Sequence, residues 1–530
     1  MKHSLRTAIA AALLAASGSF AATATAAPPL NYDQEIVSQF DSANSMETIR
    51  HLAVDIGPRR SGTPQEREGA EYLKGILDGL GFQTEIYSFP INGNRAVAQV
   101  KSPNATLPNG PNWQFSSSTN GVQTGVDHPM TGDVVYAGAG DSADDFPAGS
   151  AGKIILMDQG GSTDERTAQV ANAIAAGAIA VVLGNTGISG SGIPSAPSTT
   201  VRLADDVAIP VMGAGRSHLD WMKELLAAGT LTFSFTTENY INPMRSVVIG
   251  RRFAVGDTDG TKAPIVMVGA HIDSVLGAPG AHDDASGNGV SMEIARVVSQ
   301  LPLDKEIRIG GFGGEEDGLT GSRAYVATLP EEERARFVGE WQMDMVGTPY
   351  EPARLWALTP DGRSNFVVDE AYKAADRFGF DGLDNCKLGQ SDHQAFFDVG
   401  IPSALFIWLD YHKPVAPDTC ESIRRGQYTT EPEYHRPMDG MNNVSPERLQ
   451  TTLDVVGGAF AHNAMNRVDV TVSNGAQPAE GAVVTGDCGD GERNFGTTDA
   501  SGYLEVRVPH ATCDFDVASG DLTAAADDFA

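Results

Sequence analysis

Between residues 64 and 82, Ala70, Leu73, Ile76, Leu77 and Leu80 recur at spacings of three and four, which predicts an amphipathic helix. Gly79 and Gly81 mark its end, and residues 84–91 then read as a strand. From 102 to 121 the chain turns to Pro, Asn, Ser and Gly, the composition of a linker. Residues 121–240 mix short strand candidates at 133–136, 153–157, 178–183 and 209–212 with helices at 167–176 and 217–228. The polar loop 184–198 lies among them. This mixture predicts a small α/β or α+β unit.

Beyond residue 246 the apolar runs lengthen. Strands are predicted at 246–251, 264–270, 306–312, 338–343, 354–358 and 403–408, with a helix whose apolar face carries Val290, Ile294, Val297, Val298 and Leu301. Near-continuous apolar strands alternating with helices predict a buried, mostly parallel sheet. From residue 468 the pattern changes again. Short strand candidates at 468–472, 482–485 and 503–508, separated by Gly, Asp and Asn turns, predict a separable β-sandwich.

Composition narrows the function more than the fold. The 530 residues carry 68 acids against 37 Lys and Arg, a formal charge of −31 that repels phosphate backbones and excludes nucleic acid as a partner class. No apolar run in the body reaches the ~20 residues of a membrane span. At the start, Lys2, His3 and Arg6 precede a short apolar stretch and an Ala24-Thr25-Ala26 site. This predicts a signal peptide cleaved near Ala26 or Ala27, and a secreted or periplasmic protein. Export permits disulfides, and proximity pairs Cys386 with Cys420 and Cys488 with Cys513. No C-x-x-C pair favours a thiolate-bound zinc instead. Ser189 and Ser191 nearly match a G-x-S-x-G nucleophile turn, but their spacing is wrong and no helix pattern follows.

Ligands of open α/β sheets bind beyond the carboxyl ends of the strands. There the sequence offers His271 and Asp273, then His282, Asp283 and Asp284, then Glu315 and Glu316, then Asp344; a later loop brings Tyr434, His435 and Asp439. Taken singly, each acid reads as solvated surface. Together they do not, because Glu315 and Glu316 behind an apolar strand and a Gly turn would repel each other without a cation. A phosphate-cradling loop fails for the same reason. Imidazole and carboxylate donors without thiolate suit zinc. Two histidines and three acids exceed one open tetrahedral site but suffice for two zinc ions sharing a carboxylate. Glu315 is then spare as a general base, and Asp273 stands near the second ring nitrogen of His271.

The segments His271-Ile-Asp273-Ser, His282-Asp283-Asp-Ala-Ser-Gly287, Gly314-Glu315-Glu316, Met343-Asp344-Met-Val-Gly347, Ser391-Asp392-His393 and Tyr434-His435 resemble, in order, the motifs of metallopeptidase family 28. The likeness covers residues 45–100 and 246–467. It implies a zinc-exopeptidase-like, mostly parallel (mixed) sheet flanked by helices. A protease-associated (PA) domain would be inserted and a carboxypeptidase-regulatory-like β-domain appended. The domains would be a signal peptide (1–26), a catalytic domain in two pieces (27–103 and 246–467), a linker with the PA-like insert (104–245) and a β-domain (468–530).

By the same resemblance His271 and Asp344 hold one zinc, Glu316 and His435 the other, and Asp283 bridges. Glu315 is the base, Tyr434 stabilises the oxyanion, and Asp273 and Asp392 support from behind. Asp284 competes with Asp283 for the bridge, His412 is a decoy of the last motif, and His282 and His393 read as supporting or core residues. Gln390 stands where several relatives carry Arg. The implied activity is an exported aminopeptidase acting on peptides. A dipeptidase or carboxypeptidase on the same site, or a silent receptor ectodomain, is the alternative.

Overall fold

The computed structural model describes residues 31–187, 197–351, 353–409, 414–416, 419–420, 433–474, 476–519 and 522–529. The signal segment, Ser189, Ser191 and His412 lie outside them. Residues 32–470 with 504–512 form one compact unit, and residues 471–503 with 513–529 a second.

At the centre of the first unit, the strands Glu306–Phe312, Ile265–His271, Phe337–Met343 and Ser403–Leu409 lie side by side and parallel. Their runs of Ile, Val, Leu, Met and Ala are buried on both faces, as the pattern predicted. Antiparallel strands extend the sheet on both sides: Met244–Arg252 and Gln83–Pro90 on one, Arg354–Leu358 on the other. The sheet is therefore mixed, with a parallel core. Gly269 is required in it, because a Cβ there would stand 2.8 Å from both Gln342 Oε1 and a Phe312 ring carbon.

The predicted stripe at 64–82 is the helix Pro64–Gly79, with proline in the first turn, where it lacks no hydrogen bond. Helix Ser286–Val298 is buried over almost its whole surface. Helix Ser42–Arg50, which periodicity did not reveal, crosses it at Gly289, where a Cβ would meet the Ser45 carbonyl at 2.7 Å.

Residues 94–241 close into a seven-stranded barrel. Here the linker reading of 102–121 fails, because Trp113–Ser117 is a fully buried barrel strand. Its polar side chains have internal partners: Ser116 Oγ donates to Thr199 O (2.6 Å) and Ser117 Oγ to Gln123 Oε1 (3.0 Å). Asn94–Lys101 and Thr232–Ile241 pair with each other along eight residues and complete the closure.

In the second unit, Glu492–Thr497, Val483–Asp487, Cys513–Ser519 and Leu522–Phe529 form an antiparallel four-stranded sheet. Cys488 and Cys513 are disulfide-bonded, as proximity predicted. Cys386 is also disulfide-bonded, while the side chain of its predicted partner Cys420 lies outside the described residues.

The barrel core contains one buried histidine. His218 packs against Trp113 (ring centroids 4.7 Å apart) and Phe115 (5.1 Å), and burial pushes its pKa down to about 3 from an ordinary 6.5. Between those two values the unfolded chain holds a proton the folded barrel refuses, so stability falls as pH drops through the window. His218→Phe should remove that loss, about 1.4 kcal/mol per pH unit. Unfolding free energies at pH 7 and pH 4.5 test it. An equal wild-type-to-variant difference at both pH values would refute the assignment.

Candidate metal centre

Three adjacent parallel strands end at one edge of the sheet and deliver the chemistry there. His271 is the last residue of Ile265–His271, Asp344 follows Phe337–Met343, and the turn after Glu306–Phe312 carries Glu315 and Glu316. Asp283 comes from the segment Ala281–Ala285 ahead of a buried helix, and His435 from a turn at residues 433–435.

These side chains converge on two overlapping clusters, His271–Asp283–Asp344 and Asp283–Glu316–His435. Asp283 belongs to both. Its Oδ1 lies 3.1 Å from His271 Nε2, and its Oδ2 lies 3.1 Å from His435 Nε2. Asp344 Oδ1 is 3.6 Å from His271 Nε2, and Glu316 Oε2 is 3.2 Å from His435 Nε2.

The donor set fits a pair of divalent cations. His271 Nδ1 lies 2.9 Å from the Asp273 carbonyl, an acceptor only, so Nδ1 bears the hydrogen and Nε2 presents a lone pair. That lone pair faces two carboxylates. Acceptor facing acceptor in a buried place needs positive charge between, as a proton or as a metal. Asp344 Oδ1 and Glu316 Oε1 are also buried with no hydrogen-bond partner among the described residues.

The titration behaviour expresses the same demand. Burial opposes a charge on His435, but Asp283 and Glu316 outweigh it and push its pKa up to about 10. His271 is raised well above its ordinary value, against burial, by Asp273, Asp283 and Asp344. Burial works against ionised Asp283 too, yet the two histidines hold it far below the carboxylate range. Burial, followed by Asp283, pushes Glu316 up to about 7. Glu315 is raised well above the ordinary range by burial, with Asp344, Glu316 and Asp392 adding to the effect and His271 opposing it.

The structure separates the two adjacent aspartates. Asp284 turns away from the histidine side chains and accepts backbone N–H groups from His271 (3.1 Å), Gly287 (2.8 Å) and Met345 (3.3 Å). Met345 has a left-handed backbone (φ 54°), and the bond to Asp284 helps hold it there. Asp273 differs from expectation in detail. Its carbonyl, not its carboxylate, meets His271 Nδ1; the carboxylate lies 3.7 Å away and accepts the Glu315 N–H at 3.1 Å.

Tyr434 stacks on His435, ring centroids 3.7 Å apart. Both line a pocket with Asp283, Glu315, Asp344 and Gln390, walled on one side by Met345, Leu388, Leu405 and Ile407. Asp392 is wholly buried, and burial pushes its pKa up to about 7. His393 Nε2 lies 2.9 Å from the Leu388 carbonyl, and His393 stands in neither cluster.

Two supports went unassigned in the sequence. Asp439 accepts the backbone N–H of His282 (2.9 Å) and of Asp283 (3.1 Å), which fixes the segment bearing the shared carboxylate. Arg59 is wholly buried and donates to the carbonyls of Leu52, Gly57, Ile272, Pro279 and Gly280 at 2.7–3.0 Å. It ties down both ends of the loop between His271 and Asp283, and it brings a positive charge under Asp439, Asp273, Asp284 and Asp283. An arginine in the Gly-Pro-rich segment Gly57-Pro-Arg59 was the available signal for it.

The family model of peptidase family M28 matches residues 254–459, and that of the PA domain matches residues 130–222. The chain is 35% identical over 422 residues to Aminopeptidase YwaD of Bacillus subtilis, covering 79% of this chain and 84% of that protein. Over 430 residues it is 26% identical to an aminopeptidase of Pseudomonas aeruginosa, 76% of each chain. Among solved structures it is similar to BSAP, a zinc aminopeptidase from Bacillus subtilis. The TM-score is 0.50 at 33% identity, covering 79% of this chain and 94% of that one.

Asp284→Ala strands the buried N–H groups of His271, Gly287 and Met345 without their acceptor. At ~1–3 kcal/mol for each group left unsatisfied, stability should fall by about 3 kcal/mol or more. Denaturant unfolding measures it. A loss below about 1 kcal/mol would mean those bonds do not carry the segment.

Proposed function

The chain belongs to peptidase family M28 with a PA domain, and we propose that it is an exported aminopeptidase. It would remove N-terminal residues from peptides with two zinc ions held by one shared carboxylate. The observation that carries the reading is Asp283, whose oxygens each face one histidine Nε2 at 3.1 Å. His271 and Asp344 would hold one ion, Glu316 and His435 the other, and Asp283 both. When bound, such a pair lowers the pKa of a water and polarises a carbonyl.

The side chains then divide the work. Glu315 takes the water proton on a carboxylate oxygen and passes it to the leaving amine. The Tyr434 hydroxyl donates to the oxygen that gains negative charge. The Asp273 carboxylate, accepting the Glu315 N–H, fixes the backbone from which that base projects. Met345, Leu388, Leu405 and Ile407 exclude water on the side where an N-terminal side chain would rest. The similarity to named aminopeptidases of Bacillus subtilis and Pseudomonas aeruginosa supports cleavage from the amino end. Export rests on the signal-like first 26 residues. A catalytic domain in two pieces around the barrel of residues 94–241, with a β-domain from 468, belongs to the same reading.

Unblocked aminoacyl reporters should be hydrolysed, the same compounds N-acetylated should not, and a chelator should abolish the activity until zinc is restored. Cleavage of blocked peptides from the carboxyl end would replace the reading with a carboxypeptidase. Glu315→Gln should keep its zinc, counted by elemental analysis, and lose activity by ~10²–10⁴-fold. Full turnover in that variant would remove Glu315 from the chemistry.

A further inference from the structure

Beside the turn that carries Glu315 and Glu316, three arginines gather around one exposed acid. Arg95 donates to the Ser61 carbonyl through Nε (3.1 Å) and pairs with Asp317 through Nη2. Arg245 is only 7% exposed. Its Nη2 donates to the Pro90 carbonyl at 3.1 Å, while its Nε has no hydrogen-bond partner among the described residues. Its Cδ stands 3.1 Å from where a Cβ on Gly314 would be, directly against the turn. Arg60 is half-buried, and among the described residues its side chain makes no hydrogen bond or ion pair. Burial and the neighbouring Arg95 both hold its pKa below the ordinary arginine value. Two further acids face Arg245 from the buried side, Glu66 and Asp273; Glu66 accepts the Gly62 N–H at 2.8 Å and is raised well above the carboxylate range by burial and by Asp273.

Three guanidinium groups outnumber the two aspartates that face them, Asp317 and buried Asp273, and Arg60 forms no ion pair among the described residues, which leaves a local positive excess, partly desolvated, in a chain whose net charge is −31. Such a place attracts an anion, and the guanidinium fork matches a carboxylate's two oxygens. Resting on the peptidase reading, we infer that Arg60, Arg95 and Arg245 form a subsite for a substrate carboxylate on the leaving-group side of the scissile bond. The ligand is the C-terminal carboxylate of a di- or tripeptide, so the enzyme favours short peptides with a free carboxyl end. Acidic side chains at the same position offer the same chemistry from another source.

The test separates binding from turnover. Zinc-loaded full-length Glu315→Gln is titrated calorimetrically with Leu-Gly, Leu-Gly-amide and Leu-Glu-amide, and the wild type is assayed for turnover of the same three. Leu-Gly should bind about tenfold more tightly than its amide, the scale of one hydrogen bond to a charged group. Adding Arg60→Met should shrink that ratio to within about twofold, and Arg60→Lys, which keeps the charge without the fork, should restore only part of it. Preferential binding of Leu-Glu-amide over Leu-Gly-amide would show that side-chain carboxylates enter too, and supports the subsite. Equal binding of acid and amide before Arg60 is changed, or an acid preference that survives Arg60→Met, overturns it. If the acid preference is present and Arg60-dependent but the wild type turns over none of the peptides, the subsite stands and the aminopeptidase reading falls.

Discussion

The protein's active edge depends on keeping many carboxylates together in a place from which water is nearly excluded. Asp273, Asp283, Asp284, Asp344, Asp392 and Asp439 are all buried. Ionised carboxylates repel one another strongly at low dielectric, so the arrangement stands only where positive charge or N–H groups meet them. The structure uses three means. Histidine nitrogens face Asp283, Glu316 and Asp344; backbone amides occupy Asp284 and Asp439; and buried Arg59 contributes its charge from below.

That division explains why neighbouring acids behave differently. Asp283 turns its oxygens to two imidazoles, while its backbone amide is held by Asp439. Asp284, one residue on, spends its acceptors on the backbone of His271, Gly287 and Met345, and so fixes the ends of two strands relative to a helix. The two adjacent aspartates thus differ in whether imidazoles or backbone amides reach their oxygens.

Surrounding features follow the same economy of polar groups. In the barrel, buried serines on Trp113–Ser117 hydrogen-bond internally, so a strand of polar composition stays dry. His218 stays neutral in an aromatic core because nothing there can offset its charge. The arginines near Gly314 are the counterpart of the acidic edge: positive groups held partly out of water with one exposed acid among them.

The sequence by itself determined the architecture of the central sheet and the kinds of side chain at its edge. Long apolar runs report burial on both faces whatever their neighbours are, and parallel strands must deliver their following residues to one side. His271, Glu315, Glu316 and Asp344 were legible for that reason. Asp283 and Asp284 could not be told apart locally, since the choice is made by amides from residues as far away as Met345 and by an aspartate at 439. The barrel strand Trp113–Ser117 was likewise invisible, and the role of buried Arg59 was only hinted at by its place after Gly57-Pro58. A polar residue is tolerated inside only when distant segments supply its partners, and those partners exist only once the chain has folded.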